Sequence, residues 1–266
     1  RAALEISLRG GFLERHELLL HYQLQRDLRN GQIIGVEALL RWQHPEWGLL
    51  APDRFIEAAE RIGIIAHIDE WVLLQSCIQC KKWQGGWPHD LPVSVNCSAA
   101  LLKQPNLLGY LKQVLTQTGL SASCLILEFT ERVVIEDAPG TIFLLQEIRA
   151  LGIRLSIDDF GIGYSSLNYL KLLPVDQLKI DQSFVSDLGN ANTAAITRAV
   201  INLGHNLHLE VIAEGVETEW QLAALHDMGC DGGQGYYFDL PQSAEGFTGL
   251  LQQHKSLGET TAPWLA

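Results

Sequence analysis

Eight residues have types and positions that could do chemistry: Glu37, Asn96, Glu128, Asp158, Asp159, Lys179, Glu214 and Gln234. Each lies in or beside a short apolar run: Glu37 in VEALL, Asn96 closing VSVN, Glu128 in LILEF, Asp158 closing IRLSID with Asp159 next, Lys179 in QLKID, Glu214 closing LEVIAE and Gln234 opening QGYYF. Singly, each has a plain structural reading. A lone strand carboxylate is more often ion-paired, and Arg41 stands four residues after Glu37. Gathered at one rim, such carboxylates repel one another strongly unless cations sit among them. The donors are carboxylates and one amide oxygen, with no His or Cys, a hard set that favours Mg²⁺ or Mn²⁺ over Zn²⁺. Adjacent side chains diverge, so Asp158 and Asp159 can serve different ions. Two ions ~3.5–4 Å apart can activate water and stabilise a phosphoryl oxyanion.

The elements that must position these groups follow from periodicity. Strands are expected at 17–25, 32–40, 93–96, 125–129, 153–158, 177–181, 209–214 and 234–238. Asn30-Gly31 marks an antiparallel hairpin between the first two. Helical periodicity covers 53–62, 67–83, 105–118, 139–151, 191–206, 218–228 and 243–254, with Gly152 suited to a C-terminal cap. From the third strand on, strands alternate with helices, which makes them parallel with helices outside. Eight such units in 266 residues predict an α/β fold, a (β/α)8 TIM-type barrel whose first strand breaks the parallel pattern. Barrel active faces lie at the C-terminal strand ends, where the polar residues fall. Residues 1–10 read as the end of a connecting helix, 11–256 as one barrel domain and 257–266 as a tail.

Composition narrows the function. Hydrophobic residues make up 47% of the chain, enough for a sizeable core. The net charge of −12 makes it a poor generic binder of duplex nucleic acid or anionic membrane. If the substrate is anionic, a metal is the economical way to reverse the local sign. No apolar run approaches the ~18 residues that span a bilayer. Five thinly spread cysteines and no secretory signal argue against a disulfide framework and for a reducing, cytoplasmic setting. A start at Arg1 rather than Met reads as a fragment or processed product.

Glu37-Ala38-Leu39-Leu40-Arg41-Trp42 resembles the signature of the EAL domain, the bacterial cyclic di-GMP phosphodiesterase. His44-Pro45, the WVL at 71–73, VNCSA at 95–99, Glu128-Phe129-Thr130-Glu131, SIDDFGIGYSSL at 156–167, LKID at 178–181, AEGVET at 213–218 and QGYYF at 234–238 are similar to that family in the same order. The resemblance covers roughly 17–250. It implies a barrel with an antiparallel first strand and hydrolysis of cyclic di-GMP to linear pGpG with two Mg²⁺ or Mn²⁺ ions. It places Glu37, Asn96, Glu128 and Asp158 on one metal and Asp159 on the second, with Asp158 bridging. It gives Lys179 the attacking water, and neighbouring cations would depress its pKa. Glu214 and Gln234 complete the site around metals and water, Leu39, Arg41 and Gln234 bind substrate, and Arg41 meets a phosphate with its forked guanidinium. Glu131 braces the loop carrying Gly161, Gly163 and Ser165. The resemblance further implies a homodimer and an upstream sensor or GGDEF domain. Leu24 and Glu57 stand where the family often has Pro, and Ile162 where Thr or Ala is common; none is a catalytic position.

Other motifs are weaker. Asp159-Phe160-Gly161 spells the kinase metal motif without a kinase Gly-rich loop or HRD loop. Cys77 and Cys80 form a C-x-x-C inside an amphipathic helix with no second pair, which reads as packing. His205 and His208 straddle a turn at the opposite rim and read as a solvated loop. Tyr236, Tyr237, Phe238 and Trp42 read as barrel packing or as surfaces on which a base could stack. Two rival functions remain: a receptor that binds cyclic di-GMP or a partner without cutting, and proton abstraction beside a carboxylate, as in enolase-type barrels.

Overall fold

A computed structural model of the protein describes residues 2–9, 15–85, 90–135, 138–161 and 170–256. The chain opens its sheet with the expected hairpin. β1 (Leu18–Asp27) lies antiparallel to β2 (Ile33–His44), in register from Leu18 opposite Trp42 to Gln25 opposite Gly35, with a shift before Arg26 opposite Ile33. Asp27 N donates to Gln32 O at 2.9 Å and Gly31 N donates to Asp27 O at 2.8 Å, which closes the turn. Gly31 has φ 72, a left-handed conformation that glycine adopts without Cβ strain.

β3 (Gly48–Leu50) folds back on the end of β2. The other strands are β4 (Val93–Asn96), β5 (Leu125–Thr130), β6 (Arg154–Phe160), β7 (Gln177–Ile180), β8 (Glu210–Ala213), β9 (Gly232–Gly233) and β10 (Gln242–Ser243). From β2 through β4 to β9 each neighbour is parallel. β9 then pairs antiparallel with β1, Arg26 opposite Gly233, and closes an eight-stranded barrel; β10 attaches to the outside of β1. The (β/α)8 barrel with an antiparallel first strand is therefore the observed fold.

One strand was misplaced by sequence reasoning. QGYYF at 234–238 is not a strand: β9 is Gly232–Gly233, and Gln234 follows it rather than opening it. Tyr236 is 62% exposed and so does not pack the barrel, whereas Tyr237 and Phe238 are half-buried. The short helices Ala99–Leu102, Glu131–Ile135 and Gln182–Ser186 were not anticipated either.

Helices Ile65–Gln84, Leu107–Thr118, Ala138–Ala150, Ala191–Asn206, Glu219–Asp227 and Ala244–Ser256 connect or follow the strands. Local signals set their ends: Thr218 and Gln221 form a reciprocal capping box, and Gly119 ends Leu107–Thr118 in a left-handed conformation. Strand side chains alternate between faces. Val93, Leu125, Leu155, Leu178 and Val211 are fully buried in the main apolar cluster. Each fully buried aliphatic contributes ~1.5–3 kcal/mol. The intervening positions, Ser94, Ile126, Ser156, Gln177 and Ile212, are also buried but lie outside that cluster, as barrel-lining positions should. All five cysteines are free and buried; Cys77 and Cys80 are core residues of Ile65–Gln84.

Helix Ala2–Arg9 docks on the barrel through buried Leu8, through Glu5 2.9 Å from Arg61, and through Ser7 Oγ 3.0 Å from His44 Nε2. Residues 257–266, read as a tail, lie outside the described residues. Among the described residues no helix is long and apolar enough to cross a membrane.

Candidate functional site

β7 carries a buried cation into the barrel mouth. Lys179 is fully buried, and its Nζ lies 2.6 Å from Glu128 Oε2, 2.7 Å from Glu214 Oε1, 3.3 Å from Glu37 Oε2 and 3.5 Å from Asp158 Oδ1. Parallel register explains the convergence. Asn96 stands opposite Glu128, and Asp158 stands opposite Thr130, two residues beyond Glu128 on the same face, so neighbouring strands deliver these side chains to adjacent levels of one mouth.

Glu37 sits in a frame of donors. Asn96 Nδ2 donates to its Oε1 at 2.8 Å, and Gln234 Nε2 donates to its Oε2 at 2.6 Å. The structural alternative for Glu37, an ion pair with Arg41, is not what forms: its ion-pair partner is Lys179, and Arg41 Nη1 donates to Leu40 O at 2.7 Å.

Asp158 and Asp159 are neighbours, and a regular strand would send them to opposite faces. The register of β6 on β7 shifts between Ile157 and Phe160, and Asp159 has φ 54. This bulge re-aims both aspartates toward the mouth. Carboxylate oxygens of Asp158, Asp159 and Glu214 lie within 4.8 Å of one another. Asp159 N also donates to Asp158 Oδ1 at 2.9 Å.

One ammonium faces five carboxylates. Burial pushes Glu128 up to about 8, with Lys179 pulling against it and Glu37 and Asp158 adding to it. Burial and then Asp158 push Asp159 up to about 6. Burial holds Glu214 well above its ordinary value despite Lys179. Burial would raise Glu37 too, but Lys179 and the donors Gln234 and Asn96 outweigh it and hold this carboxyl below its usual range. Lys179 itself is raised: burial opposes its charge, but Asp158, Glu128, Glu214 and Glu37 outweigh burial.

These groups fit hard divalent cations. The donors are oxygens, negative charge exceeds the local positive charge, and Glu128 Oε1 is buried with no hydrogen-bond partner. A buried acceptor left unpaired is costly unless something positive meets it.

Glu37, Leu39 and Arg41 share a face of β2 that climbs from the buried interior into the open mouth. Leu39 lines a cleft of ≈ 660 Å³ with Asn96, Glu128, Asp69, Pro52 and Arg132; Arg41, half-buried, is not among its lining residues. Glu131 opens helix Glu131–Ile135 directly after β5. Gly161 has φ 103, and a Cβ there would lie 2.7 Å from the Phe184 ring. Gly163, Ser165 and Ile162 lie outside the described residues. Trp42 is fully buried and donates from Nε1 to Glu17 at 3.0 Å, so it is no base-stacking surface. His205 is exposed, but it lies in the last turn of helix Ala191–Asn206 rather than in a loop, and it meets Asp231 at 2.9 Å.

Sequence reasoning missed two residues. Gln23 and Gln25 of β1 are buried beside Gln234: Gln234 Nε2 donates to Gln23 Oε1 and Gln25 Nε2 donates to Gln234 Oε1, both at 3.1 Å. Their i, i+2 spacing on β1, opposite Glu37 and Gly35, was the signal available.

Known proteins resemble this chain in sequence and fold. MucR of Pseudomonas aeruginosa, described as a bifunctional diguanylate cyclase/cyclic di-GMP phosphodiesterase, is 44% identical over 88% of this chain and 34% of its own length. NbdA of the same organism, described as a cyclic di-GMP phosphodiesterase, is 45% identical over 86% of this chain and 29% of its own. The chain thus spans about a third of the length of the curated relatives it matches. The solved structure of the PaMucR phosphodiesterase in complex with c-di-GMP superposes with a TM-score of 0.89 at 43% identity, over 92% of this chain and 99% of that one. The EAL domain of Mycobacterium smegmatis DcpA superposes at 0.77 with 33% identity, over 89% of this chain and 98% of the other. With the family model for the EAL domain matching residues 5–241, nearly the whole described barrel, this chain belongs to the EAL domain family.

Proposed function

We propose that the chain hydrolyses one phosphodiester bond of cyclic di-GMP to linear pGpG, in a metal-dependent reaction without a covalent enzyme intermediate. The observation that carries this reading is the buried Lys179 ammonium held within 2.6–3.5 Å of four carboxylates at the barrel mouth. A structural ion pair needs one partner, and burying so much uncompensated charge costs stability that function must justify. The catalytic relatives MucR and NbdA, and the c-di-GMP in the MucR complex, point to the substrate.

Glu37, Asn96, Glu128 and Asp158 would hold one Mg²⁺ or Mn²⁺, and Asp159, with Asp158 and Glu214 beside it, a second. Such a pair, when bound, acidifies water and stabilises a phosphoryl oxyanion. Asn96 is suited to its part: with its NH₂ committed to Glu37, its oxygen is the lobe left to turn outward. Lys179, charged and immobilised, orients the attacking water and shields it from the carboxylates around it. Glu214 accepts from Lys179 at the more exposed rim, where it can take a proton. Gln234 keeps Glu37 aligned. Arg41 and Leu39, further up the same face of β2, meet substrate phosphate and base. Glu131 braces the loop that begins at Gly161.

The setting is cytoplasmic, the domain makes no membrane contact, and the working unit is a homodimer. Residues 1–10 are the end of a helix leading from an upstream sensor or GGDEF domain, 11–256 the catalytic barrel and 257–266 a tail. Incubating the protein with cyclic di-GMP and Mg²⁺ and separating the products tests the reading. Linear pGpG is expected; intact cyclic dinucleotide recovered from a protein that binds it would make the chain a receptor.

A further inference from the structure

The glutamines Gln23 and Gln25 have no part in the chemistry above, yet they are almost fully buried beside it. The bonds among them have a direction. Gln23 Nε2 donates to the backbone carbonyl of Asp239 at 2.9 Å. A carbonyl only accepts, so the nitrogen of Gln23 must face Asp239 and its oxygen must face Gln234. Gln234 therefore presents its NH₂ to Gln23 at 3.1 Å and to Glu37 at 2.6 Å, and its oxygen to the NH₂ of Gln25 at 3.1 Å. A flipped Gln234 would set oxygen against oxygen at Gln23 and Glu37 and NH₂ against NH₂ at Gln25.

Space for this network is provided across the hairpin. Gln25 pairs with Gly35 in the β1–β2 register, and a Cβ on Gly35 would lie 2.8 Å from Gln25 Oε1. A side chain at position 35 would displace the amide that holds the oxygen of Gln234.

We propose that Gln23 and Gln25 are positioning residues: a one-way chain of amides, anchored on the Asp239 carbonyl, locks Gln234 in the orientation that donates to Glu37. The antiparallel strand β1 thereby sets the alignment of a carboxylate on β2. The metal consequence rests on the proposed function, whereas the locked amide does not.

Gln23→Met and Gln25→Met keep length and lose the polar ends; Gly35→Ala displaces Gln25 without deleting it. Side-chain amide hydrogen exchange of Gln234, read by NMR on protein without added metal and assigned with Gln234→Glu, reports the lock itself. Slow exchange is expected in the parent protein and exchange faster by about tenfold in the variants, which corresponds to ~1.4 kcal/mol for one lost buried bond. In parallel, Mn²⁺ affinity and kcat should fall about 10–100-fold while KM for cyclic di-GMP stays within about threefold. A melting curve on each variant identifies those that remain folded. Unchanged Gln234 exchange in folded Gln25→Met and Gly35→Ala overturns the proposal. A parent protein that neither binds Mn²⁺ nor hydrolyses cyclic di-GMP would sink the proposed function, and the exchange comparison would still judge the amide chain alone.

Discussion

Lys179 Nζ lies 2.6 Å from Glu128 Oε2, with both side chains shielded completely from solvent, while the other oxygen of Glu128 has no hydrogen-bond partner. Lys179 thus compensates Glu128 only in part, and the remaining acceptor is what a cation would meet.

Removing the ammonium should expose the excess charge. Lys179→Met leaves Glu37, Glu128, Asp158 and Glu214 without their shared cation. Breaking a buried pair typically costs ~3–5 kcal/mol. In chelator-treated protein the variant should melt well below the parent, and Mg²⁺ should restore more of the loss in the variant than it adds to the parent. Its kcat should fall far more than its affinity for substrate. Lost affinity with normal turnover at saturation would instead make Lys179 a phosphate clamp.

Glu37→Gln keeps the shape of the frame and removes its charge. Turnover should drop by about 100-fold or more, since losing even a residue that supports a metal ligand costs ~10–100-fold and Glu37 would itself be a ligand. The circular dichroism spectrum should be unchanged, because lower carboxylate repulsion offsets the lost pair with Lys179. Near-normal turnover with metal bound would remove Glu37 from the site.

Ca²⁺ should bind and support little hydrolysis. It accepts loose coordination with 6–8 ligands at ~2.3–2.6 Å, whereas Mg²⁺ holds a tight octahedron at ~2.0–2.1 Å. Steady-state rates in metal-stripped protein, with each ion titrated in turn, should differ strongly; comparable rates would contradict the geometry argued for the site.

Asp69, which lines the cleft, should make stability depend on pH. Burial pushes its carboxyl up to about 7, although Ser98 N donates to Oδ2 at 3.1 Å and pulls the other way. A raised folded pKa favours the protonated form, so this contribution is complete below the ordinary carboxylate value near 4 and is lost as pH rises through about 7. Urea melts at pH 5 and pH 8 should show the parent losing a few kcal/mol that Asp69→Asn does not lose. Asn keeps an acceptor for Ser98, so equal slopes in the two proteins would assign the pH dependence elsewhere.

Much of this was legible in the sequence because polar residues at the ends of apolar strands break a strong pattern. Asn96, Glu128, Asp158 and Glu214 stood out that way, and the hairpin was marked by Asn30-Gly31. The last strand was not legible. β9 is Gly232–Gly233, and the space a side chain would need at Gly232 is taken by the ends of Ile212 and Ile34. Two glycines carry no period, so the aromatic QGYYF beside them drew the assignment. Gln23 and Gln25 were hidden for another reason. A polar residue facing a barrel interior and one facing solvent leave the same alternating trace on a strand.

The measurement that bears most directly on the central claim is a single turnover in ¹⁸O-enriched water, with the product analysed by mass spectrometry. The account predicts one heavy oxygen in the terminal phosphate of pGpG, formed by the parent protein with Mg²⁺ and essentially abolished in Glu37→Gln. Intact cyclic di-GMP after full binding, or pGpG without the label, would contradict hydrolysis by a water held at Lys179 and its carboxylates.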